Sequence, residues 1–221
     1  MVQLPLAFGF SPSFGEEDFL IGTPNAEAVA WIDSWPDWQD RILALSGPSG
    51  AGKSHLAAIW AARAGAVILD RHILSRAPAR DLVKPGGALL LDPVPVPYQE
   101  EALFHLINLV REQKAFLVLT GVEPPARWKV KLPDLASRLA ALPHVAIGEP
   151  DDAHLQALLV KLLADRQVMV DPALPDYLAR RIERSYAAAR DVIAKLDAAS
   201  LALHRPITTA LARQVLETSR T

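Results

Sequence analysis

Gly47-Pro48-Ser49-Gly50-Ala51-Gly52-Lys53-Ser54 matches the pattern G-x-x-x-x-G-K-[ST] at every fixed position. The octapeptide joins a short apolar run, Arg41 to Ser46, to an Ala-rich helical stretch, Ser54 to Ala64. In a strand–loop–helix setting, such a turn points consecutive backbone N–H groups inward around an anion. Gly50 and Gly52 permit the close approach, and the helix N-terminus adds favourable polarity. Lys53 supplies a mobile charge for the β- and γ-phosphates, and Ser54 a hydroxyl for Mg²⁺. Gly47, Pro48, Ser49, Gly50, Ala51, Gly52, Lys53 and Ser54 are therefore expected to cradle ATP or ADP.

Outward from the cradle, strand and helix patterns alternate. Ala66 to Leu69, Gly87 to Asp92, Phe116 to Thr120 and Val145 to Ile147 read as strands. Residues 26 to 35, Leu103 to Val110 and Leu132 to Leu139 read as helices. Pro93 to Pro97 alternates proline with valine and fits neither a helix interior nor a central strand. This alternation predicts an α/β fold, a parallel sheet with helices on both faces. After Pro150 the pattern changes, and 152 to 165, 172 to 184, 186 to 203 and 207 to 218 read as amphipathic helices. The expected division is an extended arm at 1–18, a nucleotide-binding α/β domain at 19–150 and a small all-helical domain at 151–221.

Ala88-Leu89-Leu90-Leu91-Asp92 supplies the second half of the site. A carboxylate at the carboxyl end of a buried strand can orient Mg²⁺ beside the cradle, which makes Ser54 and Asp92 the expected metal-side residues. Position 93, where a second carboxylate would polarise attacking water, is Pro93, which can neither accept a proton nor orient water. Intrinsic hydrolysis is expected to be weak or absent.

Composition narrows the partners. The 221 residues carry a formal net charge of −2 and no cysteine. No global basic field attracts nucleic acid or anionic lipid, and disulfides and thiolate metal sites are excluded. No window approaches the roughly 18 apolar residues of a membrane span, and the first residues lack a signal-peptide pattern. Cytoplasmic residence is the expectation. The six histidines show no ligand spacing, and the five tryptophans read as packing residues.

Cradle, Asp-ended strand and helical second domain together resemble the AAA+ superfamily. Phe19-Leu20-Ile21-Gly22-Thr23-Pro24-Asn25 resembles the segment that forms the adenine pocket of DnaA, the bacterial replication initiator, which implies a base-side role for Ile21. Leu132-Pro133-Asp134-Leu135-Ala136-Ser137-Arg138-Leu139 resembles its arginine-finger segment, and Ala188-Ala189-Arg190-Asp191 the sensor-2 helix start of its lid. Pro206-Ile207-Thr208 through Leu216 is similar to the last lid helix. The resemblance is collinear from residue 19 onward and stops before the helix-turn-helix domain of DnaA. Near the start, Gln3-Leu4-Pro5-Leu6-Ala7-Phe8 resembles the Q-x-x-L-x-F motif that docks on the DNA polymerase sliding clamp, the β subunit. Gln3, Leu4, Leu6 and Phe8 are its clamp-binding positions. This combination is similar to the Hda family of DnaA-related regulators.

The resemblance implies an adaptor that binds ADP or ATP, docks on the clamp and offers Arg138 in trans to ATP bound by DnaA, repressing re-initiation. Alternatives stand beside each residue. Arg138 can pair with Asp134 one turn earlier as a solvated contact, and Arg190 can be an ordinary helix-surface charge rather than a group that reaches its own nucleotide. At the sensor-1 position the chain has Thr120-Gly121-Val122-Glu123; Val122 cannot play a polar role, and Thr120 is the substitute. The rival functions are an autonomous P-loop ATPase or phosphotransferase and a DnaA-like DNA-binding initiator or loader. Sequence-specific DNA binding is not expected, and side-by-side assembly, including a homodimer, is.

Overall fold

The computed structural model describes residues 19–69, 78–94, 96–166 and 171–218. The arm and its Gln3, Leu4, Leu6 and Phe8 lie outside them. In chain order the elements are α1 (Ala26–Asp33), β1 (Ile42–Ser46), α2 (Lys53–Ala64), β2 (Val67–Leu69), α3 (Ala79–Leu82), β3 (Ala88–Leu91), α4 (Glu100–Glu112) and β4 (Phe116–Thr120). A 3₁₀ turn (Pro125–Arg127), α5 (Pro133–Ala140), β5 (His144–Ala146), α6 (Asp152–Ala164), α7 (Ala173–Ala179), α8 (Tyr186–Leu203) and α9 (Thr209–Thr218) follow.

The strands form one sheet in the order β2-β3-β4-β1-β5, and all four pairings are parallel. Parallel strands buried on both faces need apolar residues at every position, which explains why Ile42-Leu43-Ala44-Leu45 and Ala88-Leu89-Leu90-Leu91 show no alternation. The alternation is spatial. Ile42, Ala44, Leu89, Leu91, Leu117 and Leu119 pack under α4 and α5 through Leu103, Leu106, Ile107, Val110, Leu135 and Leu139. Leu43, Leu45, Leu90, Phe116 and Val118 face the other way, against Ile32 of α1 and Leu56, Trp60 and Ala61 of α2. A one-residue slip of any central strand would exchange the two faces.

Beyond the sheet, α6 to α9 bury a core of their own around Leu159, Leu163, Leu178, Ile193, Leu196 and Leu211. The helix expected at 172–184 is shorter than its pattern suggested. Helix α7 ends at Ala179, and the Ser185 Oγ accepts the Ala188 amide at 3.1 Å to start α8. Ser185 is thus the N-cap of α8, and residues 180–184 between the two helices form turns and bends. Helix α4 begins three residues earlier than its apolar pattern, because Glu100 and Glu101 occupy a polar first turn where negative charge is favourable.

Below the sheet an aromatic group fills the gap between α1 and α2. Trp38 stacks on Trp60 with ring centroids 5.7 Å apart, while Trp35 meets Trp60 and Phe116 edge-on. Trp60 is fully buried, and its indole N–H has no partner among the described residues. Trp60→Ala should lower stability in urea unfolding by about 3–5 kcal/mol, the usual range for emptying such a site. Trp60→Phe should cost much less, since it also removes an unpaired donor; equal losses for the two variants would contradict this packing.

Candidate functional site

Five chain segments meet at the carboxyl ends of the strands, where open parallel sheets hold ligands. The loop between β1 and α2 lies at their centre. Gly50 and Gly52 adopt φ of +84° and +88°, a region side chains rarely occupy. A Cβ on Gly50 would lie 3.1 Å from Arg190 Nη1, and one on Gly52 would lie 3.0 Å from Phe19 Cε2. These two glycines therefore create the concavity and also let neighbouring segments close over it.

Lys53 Nζ donates to the Gly47 and Pro48 carbonyls, at 2.8 Å each, so the ammonium sits inside its own loop. Burial pushes its pKa below the ordinary value; Asp92 opposes that and Arg190 adds to it. Ser54 Oγ donates to Asp92 Oδ1 at 3.0 Å, and Thr120 Oγ1 donates to the same oxygen. Ser54 and Asp92 thus present adjacent oxygens on one wall, a donor set that suits a hard cation such as Mg²⁺. Thr120 is 1% exposed and directly engaged with Asp92, a stronger involvement than its position in the sequence suggested. Val122 is 62% exposed and contributes through its backbone, its carbonyl accepting the Gly47 amide at 3.0 Å.

The segment 19–25 reaches the cradle through Phe19, whose ring meets His55 edge-on at 5.3 Å. Asn25 shapes this segment. Its Oδ1 accepts the Gly22 amide at 2.9 Å, its Nδ2 donates to the Leu20 carbonyl at 2.8 Å, and the residue is buried. The Gly148 amide donates to the Pro24 carbonyl at 2.9 Å, which attaches the segment beyond β5. Ile21 is left 61% exposed, an apolar side chain free for a further contact.

The helical part closes the other side. Arg190 on α8 lies over Gly50, and Tyr186, one turn earlier, packs into the core that α1 and α2 share with the sheet. Its hydroxyl is buried without a partner among the described residues, and burial, with Glu149 and Asp151 nearby, pushes it up to about 12. His154 on α6 wedges between Tyr186, 5.9 Å ring to ring, and Gly22, where a Cβ would meet Nδ1 at 2.4 Å. Among the residues proposed from sequence, the structure brings residues 47–54, Asp92, Arg190 and the segment holding Ile21 together. Arg138 is elsewhere, on α5. It makes no ion pair with Asp134, and its guanidinium carbon lies 5.3 Å from the Phe104 ring centroid. Asn25, His154 and Tyr186 escaped sequence reasoning because each acts through packing between segments far apart in the chain.

Solved structures share this architecture. Domain III of Thermotoga maritima replication initiation protein DnaA superposes with a TM-score of 0.75 at 18% identity, over 94% of this chain and 97% of that one. The fold is that of the AAA+ P-loop domains of DnaA and RuvB. Thermotoga maritima RuvB, the Holliday junction branch migration motor, gives a TM-score of 0.65 at 14% identity over 90% of this chain and 70% of that one. Replication initiator DnaA bound to AMPPCP and single-stranded DNA gives 0.65 at 19% identity, over 85% of this chain and 65% of that one. In sequence the chain is similar to chromosomal replication initiator protein DnaA of Thermomicrobium roseum, 25% identical over 238 aligned positions. The match covers 94% of this chain and 50% of that protein, so the chain spans about half the length of this relative. No family model matches the chain. Among the described residues no helix is long and apolar enough to cross a membrane.

His154 makes the junction sensitive to pH. Burial lowers its pKa from 6.5, with Asp151 opposing, so the unfolded chain takes up this proton first as pH falls. The junction's contribution is fully present above pH 6.5 and declines as pH drops through the lowered folded value. Stability should therefore fall by up to about 1.4 kcal/mol per pH unit between pH 6.5 and that lowered value, and level off below it. Chemical denaturation at a series of pH values should show that slope in the parent protein and a flatter one in His154→Gln. Identical slopes would contradict a buried neutral imidazole here.

Proposed function

We propose that this chain is a cytoplasmic, nucleotide-binding regulator of replication initiation, an adaptor of the Hda kind. ADP or ATP would lie with its phosphates in residues 47–54 and against Arg190. Ser54 and Asp92 would hold Mg²⁺, and the segment around Ile21 would receive the base. Bound Mg²⁺ would neutralise phosphate charge. Within the chain, Lys53 and the loop amides orient the anionic tail, and Arg190 ties the helical part to it. On the partner side, residues 3–8 would dock on the sliding clamp and Arg138 would enter the ATP site of DnaA.

The observation that carries this proposal is a preformed phosphate cradle whose neighbouring catalytic positions are Pro93 and Val122. Such a site can hold nucleotide with little means of activating water, while an arginine on the separate helix α5 remains for another protein's nucleotide. An arginine that stabilises a transferring phosphoryl group in trans accelerates hydrolysis by about 10³–10⁵. DnaA likeness in sequence supports a replication context. A second reading, a DnaA-like initiator that binds single-stranded DNA, is favoured by the solved DnaA complex that carries such DNA.

Two assays separate these readings. With clamp and ATP-loaded DnaA, the parent chain should stimulate ATP hydrolysis, and Arg138→Ala should return the rate to that of DnaA alone. Gln3→Ala combined with Leu6→Ala should abolish clamp pull-down. If both variants behave like the parent, the adaptor proposal fails. Salt-sensitive binding of single-stranded DNA without clamp would instead favour the initiator reading.

A further inference from the structure

Helix α4 carries two side chains one turn apart, Glu100 and Phe104, and both engage the segment that bears Arg138. The Glu100 carboxylate accepts the Lys131 amide at 3.0 and 2.9 Å through its two oxygens and the Leu132 amide at 2.7 Å. Leu132 is the N-cap of α5, and no side chain of α5's own segment caps that end. The next residue, Pro133, has no N–H to offer. A neighbouring helix therefore supplies the acceptor that α5 lacks. These amide bonds, Lys131 first and Leu132 next, also hold the Glu100 carboxyl below the usual carboxylate range.

Arg138 itself is held loosely. It is partly exposed, makes no ion pair among the described residues, and lies over the Phe104 ring. A guanidinium over an aromatic face is oriented without being neutralised, which leaves its charge and its N–H groups available to an anion. Residues i and i+4 share one helix face, so the residue that fixes the start of α5 and the residue that supports the arginine move as one rigid unit.

We propose that Glu100 and Phe104 are positioning residues: Glu100 sets where α5 begins, Phe104 sets the direction of the guanidinium, and together they preorganise Arg138 for a partner's phosphoryl group. This deepens the reading of Arg138 as acting in trans and rests on it. Charge available at the right place costs no reorganisation when the partner docks, which is where such a device acts.

The test uses the full chain with clamp and ATP-loaded DnaA, separating maximal stimulation from the concentration giving half of it. Glu100→Ala and Phe104→Leu should each lower maximal stimulation about tenfold or more, since small misplacements of a reacting group can cost about 10²-fold. The half-saturating concentration should change little. Glu100→Gln keeps an acceptor oxygen and should retain most of the rate. Hydrogen exchange at the Lys131 and Leu132 amides should quicken in Glu100→Ala, with thermal unfolding still cooperative. Full stimulation by Glu100→Ala and Phe104→Leu alongside an inactive Arg138→Ala would overturn the positioning role alone. Unchanged exchange at 131–132 would overturn it as well. Full stimulation by Arg138→Ala would instead overturn the parent reading, and the positioning role with it.

Discussion

One carboxylate oxygen organises the site. Asp92 Oδ1 accepts hydrogen bonds from Ser54 at the start of α2 and from Thr120 at the end of β4, while Asp92 itself follows β3. Three elements far apart in the chain are thereby tied at their polar ends. Below that point the described strands are held mainly by apolar contact and backbone ladders, which fix direction and register but specify no chemistry. The cradle is attached on its other side by main-chain bonds: Gly121 donates to Leu45, Gly47 to Val122 and Ile147 to Ser46. Buried polar groups arranged this way reinforce one another, and losing one acceptor would leave two hydroxyls without their partner.

The helical part meets that cradle through few side chains. Its own core is separate, yet Tyr186 is inserted among the residues of α1 and α2, His154 abuts Gly22, and Arg190 overhangs Gly50. An anion placed in the loop would add a charge-assisted contact to Arg190, so the closed arrangement would gain stability when nucleotide is present. Lys53 donates to Gly47 and Pro48, which holds its ammonium within the loop. Arg138 lies on α5, which packs with α4 on the sheet face opposite α1 and α2. This separation suits a protein that holds one nucleotide and acts on another.

Much of this was legible in the sequence because its determinants are local. The cradle is eight consecutive residues, and strands buried on both faces announce themselves as uninterrupted apolar runs, as Phe116 to Thr120 does. Arg190, singled out only through a resemblance, lies beside Gly50. What stayed hidden depends on pairing between distant segments. Asn25 looks like any polar residue until its two backbone partners at Gly22 and Leu20 are seen. Glu100 sits in an acidic pair with no chemical signature, and its partners lie thirty-one and thirty-two residues away. The expected helix at 172–184 was too long because amphipathic periodicity continues through residues 180–184, where the chain forms turns and bends instead.

Calorimetric titration of ADP into nucleotide-free protein, with and without Mg²⁺, tests whether the loop amides, Lys53 and Arg190 form a preorganised anion site. The parent protein should show saturable one-to-one binding, with Arg190→Ala weakening it by about tenfold or more, the loss of a charge-assisted contact. Absence of binding by folded parent protein, or an affinity indifferent to Arg190, would contradict such a site.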